Sequence, residues 1–189
     1  MSSRHSEEIL RKTLHLPGLA FLALAYYSKT ASISLLASLI LLYFVSWSLM
    51  RWKGVGIPLI SHLTERLKRE GAIDLGPPLL ALGILLTLLF FDLRSAACGI
   101  LQVCVADGAA AVVGKKWGVE KIFYSPKKSY WGALAFFVFA FLIQLPMISW
   151  KHSVLLALVG TFLESLPFGA FDNLLIPVGV GLIAFRFLF

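Results

Sequence analysis

Three acidic residues stand in parts of this 189-residue sequence that are otherwise apolar. Asp107 lies in the small-residue segment CVADGAAAVVG, whereas Glu164 and Asp172 flank an interruption in GTFLESLPFGAFDNLL. Carboxylate and amide oxygens suit a hard cation such as Mg²⁺, which commonly binds one or two carboxylates together with substrate phosphates. The candidate metal ligands are therefore Asp107, Glu164, Asp172 and Asn173.

A basic segment, GKKWGVEKIFYSPKKSYWG, lies between Asp107 and Glu164 in the sequence. Lysines and helix N-termini both bind phosphate groups. Ser129 could cap the helix that follows it and present the first N–H groups of that helix to an anion. Three acids, an asparagine and five lysines at one membrane face indicate phosphoryl transfer. Membrane topology alone would also explain the lysines, and Asp172 could simply cap the last helix.

The N-terminal stretch EEILRKTLH adds a second set of charged side chains. Glu8, Arg11, Lys12 and His15 are spaced so that a helix would place them on one face. A solvated face that sets membrane orientation is the simpler interpretation, and it explains His15 least well because that residue lies where the first apolar segment begins.

Helices that cross a bilayer must carry these residues, because 59% of the sequence is hydrophobic and only 14% is charged. A spanning helix needs about 20 mostly apolar residues. Several candidates are short, which predicts tilted or partly re-entrant helices around a cavity. The predicted spans are 14–28, 31–50, 75–91, 95–113, 130–149, 153–168 and 172–189, with six spans as the alternative.

Lysines and arginines predict the orientation of these spans. Connections rich in basic residues alternate with connections that have one, and the N-terminal segment is among the rich ones. Since basic residues collect in cytoplasmic connections, the pattern predicts a cytoplasmic N-terminus. The net charge of +7 then reflects topology, and no nucleic-acid partner is needed. The fold class predicted is an all-α, polytopic membrane helix bundle, with one membrane-embedded domain over residues 1–189.

Two further segments have simpler interpretations. Residues 57–71 have the apolar spacing of an amphipathic helix on the cytoplasmic surface, with no chemistry required. Cys98 and Cys104 both lie in an apolar run, so their spacing predicts neither a disulfide framework nor a metal site.

The segments ADGAAAVVGKKWG, SPKKSYWGAL and ESLPFGAFDNLLIP, taken in order, resemble the membrane-bound dolichol kinase and phytol kinase family. The N-terminal Arg11, Lys12 and His15 are similar to the phytol kinase branch. The family contains CTP-dependent kinases of polyisoprenoid alcohols, and its relatives include a CTP-dependent diacylglycerol kinase. The resemblance implies transfer of the γ-phosphate of CTP to a long isoprenoid alcohol, with Mg²⁺ as cofactor, at the cytoplasmic membrane face.

The resemblance also implies residue roles. Asp107 would be the general base or a metal ligand, with Lys12 and His15 as further catalytic residues. Glu164, Asp172 and Asn173 would hold Mg²⁺. The predicted nucleotide-binding residues are Gly114, Lys115, Lys127, Lys128, Ser129 and Gly132.

Other functions are weighed against this one. Phosphatidate cytidylyltransferases share the Asp and lysine-serine regions but end in a Pro-Gly-His-Gly-Gly segment that this sequence lacks. CDP-alcohol phosphotransferases need an arginine where Val112 stands. A small transporter could also place acids in broken helices. The expected partners are CTP, an isoprenoid alcohol and the bilayer, with a homodimer left open. The expected location is the plasma membrane of a prokaryote, or the endoplasmic reticulum or plastid membrane of a eukaryote.

Overall fold

The computed structural model describes residues 17–53 and 75–188, and this part of the chain is almost entirely helical. The predicted N-terminal residues Lys12 and His15 and the predicted surface helix at 57–71 lie outside these ranges. The α-helices are α1 (Pro17–Tyr27), α2 (Lys29–Lys53), α3 (Gly76–Phe90), α4 (Leu93–Leu101), α5 (Asp107–Trp117), α6 (Tyr130–Gln144), α7 (Trp150–Ser165) and α8 (Asp172–Phe187).

Two short helical turns connect these helices at places that matter for the site. A π-helical turn (Gln102–Ala106) joins α4 to α5, so that the three form one continuous helical segment. A 3₁₀ turn (Gly169–Phe171) precedes α8. Gly169 has φ 63°, a conformation that favours glycine, and it lets the chain reverse between α7 and α8.

Three helical segments within the described residues are long and apolar enough to cross a membrane, namely Lys29–Leu49, Leu93–Trp117 and Gly169–Phe187. Three shorter apolar helices, α1, α3 and α6, accompany them. This composition fits the predicted membrane protein. Each predicted span overlaps one of these helices or α7, but the count of seven spans and the cytoplasmic N-terminus stay predictions.

A small antiparallel hairpin lies between α5 and α6, and the all-α prediction did not contain it. Strand β1 (Lys121–Ile122) pairs with β2 (Ser125–Ser129), and the register of the pairing shifts between Lys121 and Ile122. Pro126 cannot donate a backbone hydrogen bond, which is tolerated in a two-stranded ribbon where one side of each strand has no neighbour. The segment was predicted only as a lysine-rich connection.

Helix α8 packs against α3, α4 and α7. Pro177 within it has no N–H, so it cannot donate the usual helical hydrogen bond to the carbonyl of Asn173, four residues earlier. A Cβ added to Gly83 in α3 would lie 2.5 Å from that carbonyl oxygen. A Cβ added to Gly99 in α4 would collide with the carbonyl oxygen of Pro177. The two glycines therefore allow α3 and α4 to approach the backbone of α8 closely.

Candidate active site

The candidate site is built around an ion-paired lysine at the end of the helix bundle. The Lys128 ammonium donates hydrogen bonds to Glu164 Oε1 and to Asp172 Oδ2, each at 2.7 Å. The side chains of Glu164 and Asp172 are 7% and 5% exposed, and that of Lys128 is 18% exposed. We call these three residues the charged cluster. The structure thus brings together two predicted metal ligands and one predicted phosphate-binding lysine.

Three separate elements position the charged cluster. Lys128 is in β2, Glu164 is in the last turn of α7, and Asp172 is the first residue of α8. The turn at Gly169 brings the last two close to each other. Asp172 is not the N-cap of α8, since Phe171 occupies that position and the cap makes no side-chain hydrogen bond. The capping alternative for Asp172 is therefore wrong.

The surrounding charges hold Lys128 in its cationic form. Burial disfavours the ammonium, but the carboxylates of Glu164, Asp172 and Asp107 outweigh this effect and raise the pKa of Lys128 above its ordinary value. Lys128 therefore carries a positive charge throughout the neutral range. It can neutralise anionic groups, whereas a general base would have to be another residue.

Each carboxylate of the charged cluster has a second oxygen. Glu164 Oε2 and Asp172 Oδ1 are buried, and neither has a hydrogen-bond partner among residues 17–53 and 75–188. A buried acceptor without a partner is costly, and a charged one more so. Two such oxygens fit a cation that enters the cluster.

Mg²⁺ suits this arrangement, because it usually takes one or two carboxylates and completes its coordination with water and substrate phosphates. Within residues 17–53 and 75–188, no three His, Cys, Asp or Glu side chains lie close enough together to hold a metal ion by themselves. Glu164 and Asp172 are the residues that would hold the ion. The wider ligand set, with Asp107 and Asn173, stays a prediction.

Asp107 reaches the same region from the continuous helical segment. It is the first residue of α5 and is only 1% exposed. Its charge contributes, after those of Glu164 and Asp172, to raising the pKa of Lys128. That Asp107 shares one metal site with Glu164 and Asp172 stays a prediction.

A π turn separates two buried residues, Gln102 and Asp107. The backbone N–H of Asp107 donates to the Gln102 carbonyl, five residues earlier, which brings the two residues nearer to one face than an α-helix would. Residues five apart in an α-helix would instead be separated by about 140° around the axis. Gln102 was not predicted, because a spacing of five does not share an α-helical face.

Gln102 connects the Asp107 helix to the Glu164 helix. Its side chain is fully buried and its amide donates to the Leu156 carbonyl of α7 at 3.0 Å. Gly160 makes room for it, because a Cβ there would collide with Gln102 Oε1 and lie 2.9 Å from Phe136. Gly160 precedes Glu164 by one helical turn. The contact therefore lies one turn deeper in the bundle than the carboxylates.

Asn173 has a structural contact of its own. Its side-chain amide donates to the Gly76 carbonyl at 3.1 Å, which joins the start of α8 to the start of α3. This contact uses the nitrogen of the amide. Coordination of a metal through its oxygen stays a prediction.

Ser129 caps α6 as predicted, with its hydroxyl accepting from the Gly132 N–H at 3.2 Å. Around this hydroxyl the predicted nucleotide-binding glycines are packed against each other. A Cβ on Gly114 would lie 3.0 Å from Ser129 Oγ and 3.3 Å from Gly132 Cα. The absence of side chains at Gly114 and Gly132 is thus explained by the close crossing of α5 and α6, and a nucleotide contact through their backbones stays a prediction.

The other lysines of the basic segment differ in exposure. Lys127 is exposed, Lys115 is half-buried, and Lys116 is exposed with its ammonium 4.5 Å from the centre of the Trp117 ring. Lys128 differs from the exposed Lys127 beside it in being paired with two buried carboxylates. Binding of a nucleotide by Lys115 or Lys127 stays a prediction.

One further contact near the charged cluster was missed. The Tyr124 hydroxyl and Ser165 Oγ are 2.8 Å apart and hydrogen-bonded. Tyr124 lies in the turn of the hairpin that carries Lys128, and Ser165 follows Glu164 directly. The bond therefore fixes the hairpin to the end of α7, and a lone tyrosine in a polar connection gave no signal for it.

Curated relatives match most of this chain. It is 28% identical to Phytol kinase 1, chloroplastic, of Arabidopsis thaliana, over 95% of this chain and 66% of that protein. It is 33% identical to an uncharacterised protein of Methanocaldococcus jannaschii, over 93% and 92% of the two chains. A phytol kinase of Synechocystis is 34% identical over 47% of this chain and 42% of its own length.

These matches differ in how much of the relative they cover. The chain spans about two thirds of the length of the Arabidopsis thaliana and Triticum aestivum phytol kinases, and nearly the whole length of the archaeal relative. Neither a family model nor a solved structure matches it.

Proposed function

This chain belongs to the family of phytol and polyprenol kinases, and from that membership we propose that it is a lipid-alcohol kinase. The finer proposal is that it transfers the γ-phosphate of CTP to the hydroxyl of an isoprenoid alcohol of the phytol, geranylgeraniol or polyprenol type. The observation that carries the proposal is the charged cluster beside buried Asp107, at the end of a bundle of apolar helices.

Phosphoryl transfer depends mainly on positioning and on neutralising phosphate oxygens. The hydroxyl oxygen of the lipid would attack the γ-phosphorus while the bond from that phosphorus to the bridging oxygen breaks, so that CDP leaves. Asp107 would either accept the hydroxyl proton or bind the metal. Mg²⁺, held by Glu164 and Asp172, would supply positive charge to the phosphate oxygens.

Lys128 would contribute positive charge to the same phosphate groups. Its raised pKa supports a permanent cation, which suits a residue that faces a triphosphate. The exposed Lys127 and the half-buried Lys115 are proposed as outer contacts to the nucleotide. The donor nucleotide, the membrane face, and roles for Lys12 and His15 are proposed from the family resemblance.

The test is phosphate transfer by the purified protein in detergent. The protein would be given γ-labelled CTP, Mg²⁺ and a panel of farnesol, geranylgeraniol, phytol, a dolichol and diacylglycerol. We expect label on an isoprenoid alcohol, and a decrease of at least about 100-fold in Asp107→Asn, since losing general acid–base catalysis typically costs that much.

Asp92→Asn is the matched control. Asp92 caps α4 by accepting from the N–H groups of Arg94 and Ser95, and asparagine can accept the same bonds. This variant should keep full transfer. Label on diacylglycerol alone would replace the substrate class, CMP-lipid formed from phosphatidate would indicate a cytidylyltransferase, and no product of either kind would contradict an enzyme of this type.

A further inference from the structure

We propose that Lys128 occupies the place of the divalent cation between Glu164 and Asp172 and leaves it when the cation binds. The proposal rests on the metal-dependent phosphate transfer proposed above. It adds that the Lys128 ammonium and the divalent cation bind alternately between the two carboxylates. Binding of the metal would then release the lysine toward the phosphate groups.

The position of the Lys128 ammonium carries this inference. It lies 2.7 Å from one oxygen of each carboxylate, which is the bridging position that a small cation would take between two acids. A lysine ammonium and a divalent cation cannot both occupy that volume, and at such a separation their charges would repel each other strongly.

The charge of the cluster and its unpaired oxygens also favour a divalent cation between the two carboxylates. Lys128 supplies one positive charge against two carboxylates. Glu164 Oε2 and Asp172 Oδ1 are buried without a partner in the structure. A divalent ion would match the charge of both acids and could use these oxygens, whereas a single ammonium satisfies half of the available acceptors.

The connection that carries Lys128 favours an exchange over a fixed ion pair. Lysine has a flexible four-carbon side chain with a point charge at its end, and it can therefore move without rearrangement of the backbone. The Lys128 side chain is 18% exposed, against 7% and 5% for Glu164 and Asp172, so the lysine is the member of the cluster that reaches solvent most. The hairpin itself stays attached to α7 through Tyr124 and Ser165.

Competition predicts that removing the lysine strengthens metal binding. Mn²⁺ would be titrated into detergent-purified protein without nucleotide or lipid, and bound ion measured by electron paramagnetic resonance. We expect Lys128→Met to bind Mn²⁺ about tenfold more tightly than the unmodified protein, because a competing positive charge is gone. Lys127→Met removes the same charge from the adjacent exposed position and should change the affinity much less. Equal or weaker binding in Lys128→Met would overturn the proposal.

A second measurement uses the unmodified protein, so it does not depend on whether the variant folds. Acylation of Lys128 would be followed by mass spectrometry during a Mg²⁺ titration, with the neighbouring Lys127 as internal reference. Release from the two carboxylates should increase labelling of Lys128 several-fold and leave Lys127 unchanged. Glu164→Gln should abolish the Mg²⁺-dependent increase. Labelling of Lys128 that does not respond to Mg²⁺ would contradict the exchange.

These measurements separate the exchange from the kinase activity. Mn²⁺ binding and lysine labelling need no phosphate transfer, so the exchange can be found in a protein that phosphorylates none of the lipids tested. Conversely, transfer to an isoprenoid alcohol together with unresponsive Lys128 labelling would leave the proposed function standing and refute the exchange alone.

Discussion

Two groups of buried polar side chains in this protein differ in what they leave unpaired. The charged cluster joins Lys128 to two carboxylates at the end of the bundle. Deeper between the helices, the buried glutamines Gln102 and Gln144 each donate to a backbone carbonyl of another helix or helical segment, Leu156 in one case and Cys98 in the other. In both groups some side-chain oxygens have no partner in the structure.

The difference lies in charge and surroundings. The unpaired oxygens of the charged cluster belong to acids, which are already paired with one cationic side chain. The unpaired oxygens of the buried glutamines are neutral, and Gln102 Oε1 is packed against Gly160. Because a charged oxygen costs more to bury unpaired than a neutral one, we propose a cation site at the charged cluster and a purely structural role for the glutamines.

The largest effect is expected from Lys128→Met. Removing one partner of a buried ion pair typically costs about 3–5 kcal/mol, because the other charge stays buried without compensation. Glu164 and Asp172 would both lose their cation, so we expect a clearly lower midpoint of thermal unfolding in detergent. Divalent cation should restore part of the loss. The same midpoint in variant and unmodified protein would show that the cluster contributes nothing to stability.

The pH dependence of this effect follows from the raised pKa of Lys128. A base whose pKa is raised by folding contributes stability fully below its ordinary pKa, here 10.5, and loses it as the pH rises through the higher folded value. The difference in unfolding midpoint between the unmodified protein and Lys128→Met should therefore persist up to pH 10.5 and narrow above it. A difference that closed near neutral pH would contradict a raised pKa.

An intermediate effect is expected from Gly160→Ala, which changes the packing around the buried Gln102. Its Cβ would collide with Gln102 Oε1 and approach Phe136, and overpacking of this kind typically costs about 1–3 kcal/mol. The double variant with Gln102→Ala should lose less stability than the sum of the two single changes. Strictly additive losses would mean that the two residues do not interact.

Gly108→Ala is the matched control for Gly160→Ala. Apart from its two chain neighbours and the backbone of its own helix, no atom of the described residues lies within 4 Å of where its Cβ would be. Alanine favours a helix over glycine by about 1 kcal/mol. This variant should therefore unfold at the same or a slightly higher temperature than the unmodified protein.

The sequence predicted the charged cluster better than the contacts that position it. Acidic residues in apolar segments are conspicuous because burying them is costly, and this identified Asp107, Glu164 and Asp172. The helices were predictable for a similar reason, since apolar length alone places them within a few residues. Ser129 as the cap of α6 followed from its position before an apolar run.

What the sequence did not predict depends on neighbours that are distant along the chain. Lys128 has the residue type of a phosphate-binding lysine, but its pairing with Glu164 and Asp172 becomes visible only when β2, α7 and α8 meet. Gly114 and Gly132 were predicted to bind a nucleotide, and nothing in the sequence indicated that they also pack together at the α5–α6 crossing. The π turn breaks the helical periodicity on which face assignments depend, so Gln102 was not recognised.

The smallest effect is expected from Gln144→Leu. Its hydrogen bond to the Cys98 carbonyl is 3.3 Å long, and such bonds between helices in membrane proteins average about 0.6 kcal/mol. Leucine has a similar length and also removes the unpaired Oε1. The unfolding midpoint in detergent should change little, and phosphate transfer should stay at the level of the unmodified protein. Gln144→Glu is the control, since a buried carboxylate there would be clearly destabilising. If a stable Gln144→Leu protein lost phosphate transfer, Gln144 would have a role in the reaction together with the charged cluster. A residue that only holds helices together could not cause such a loss.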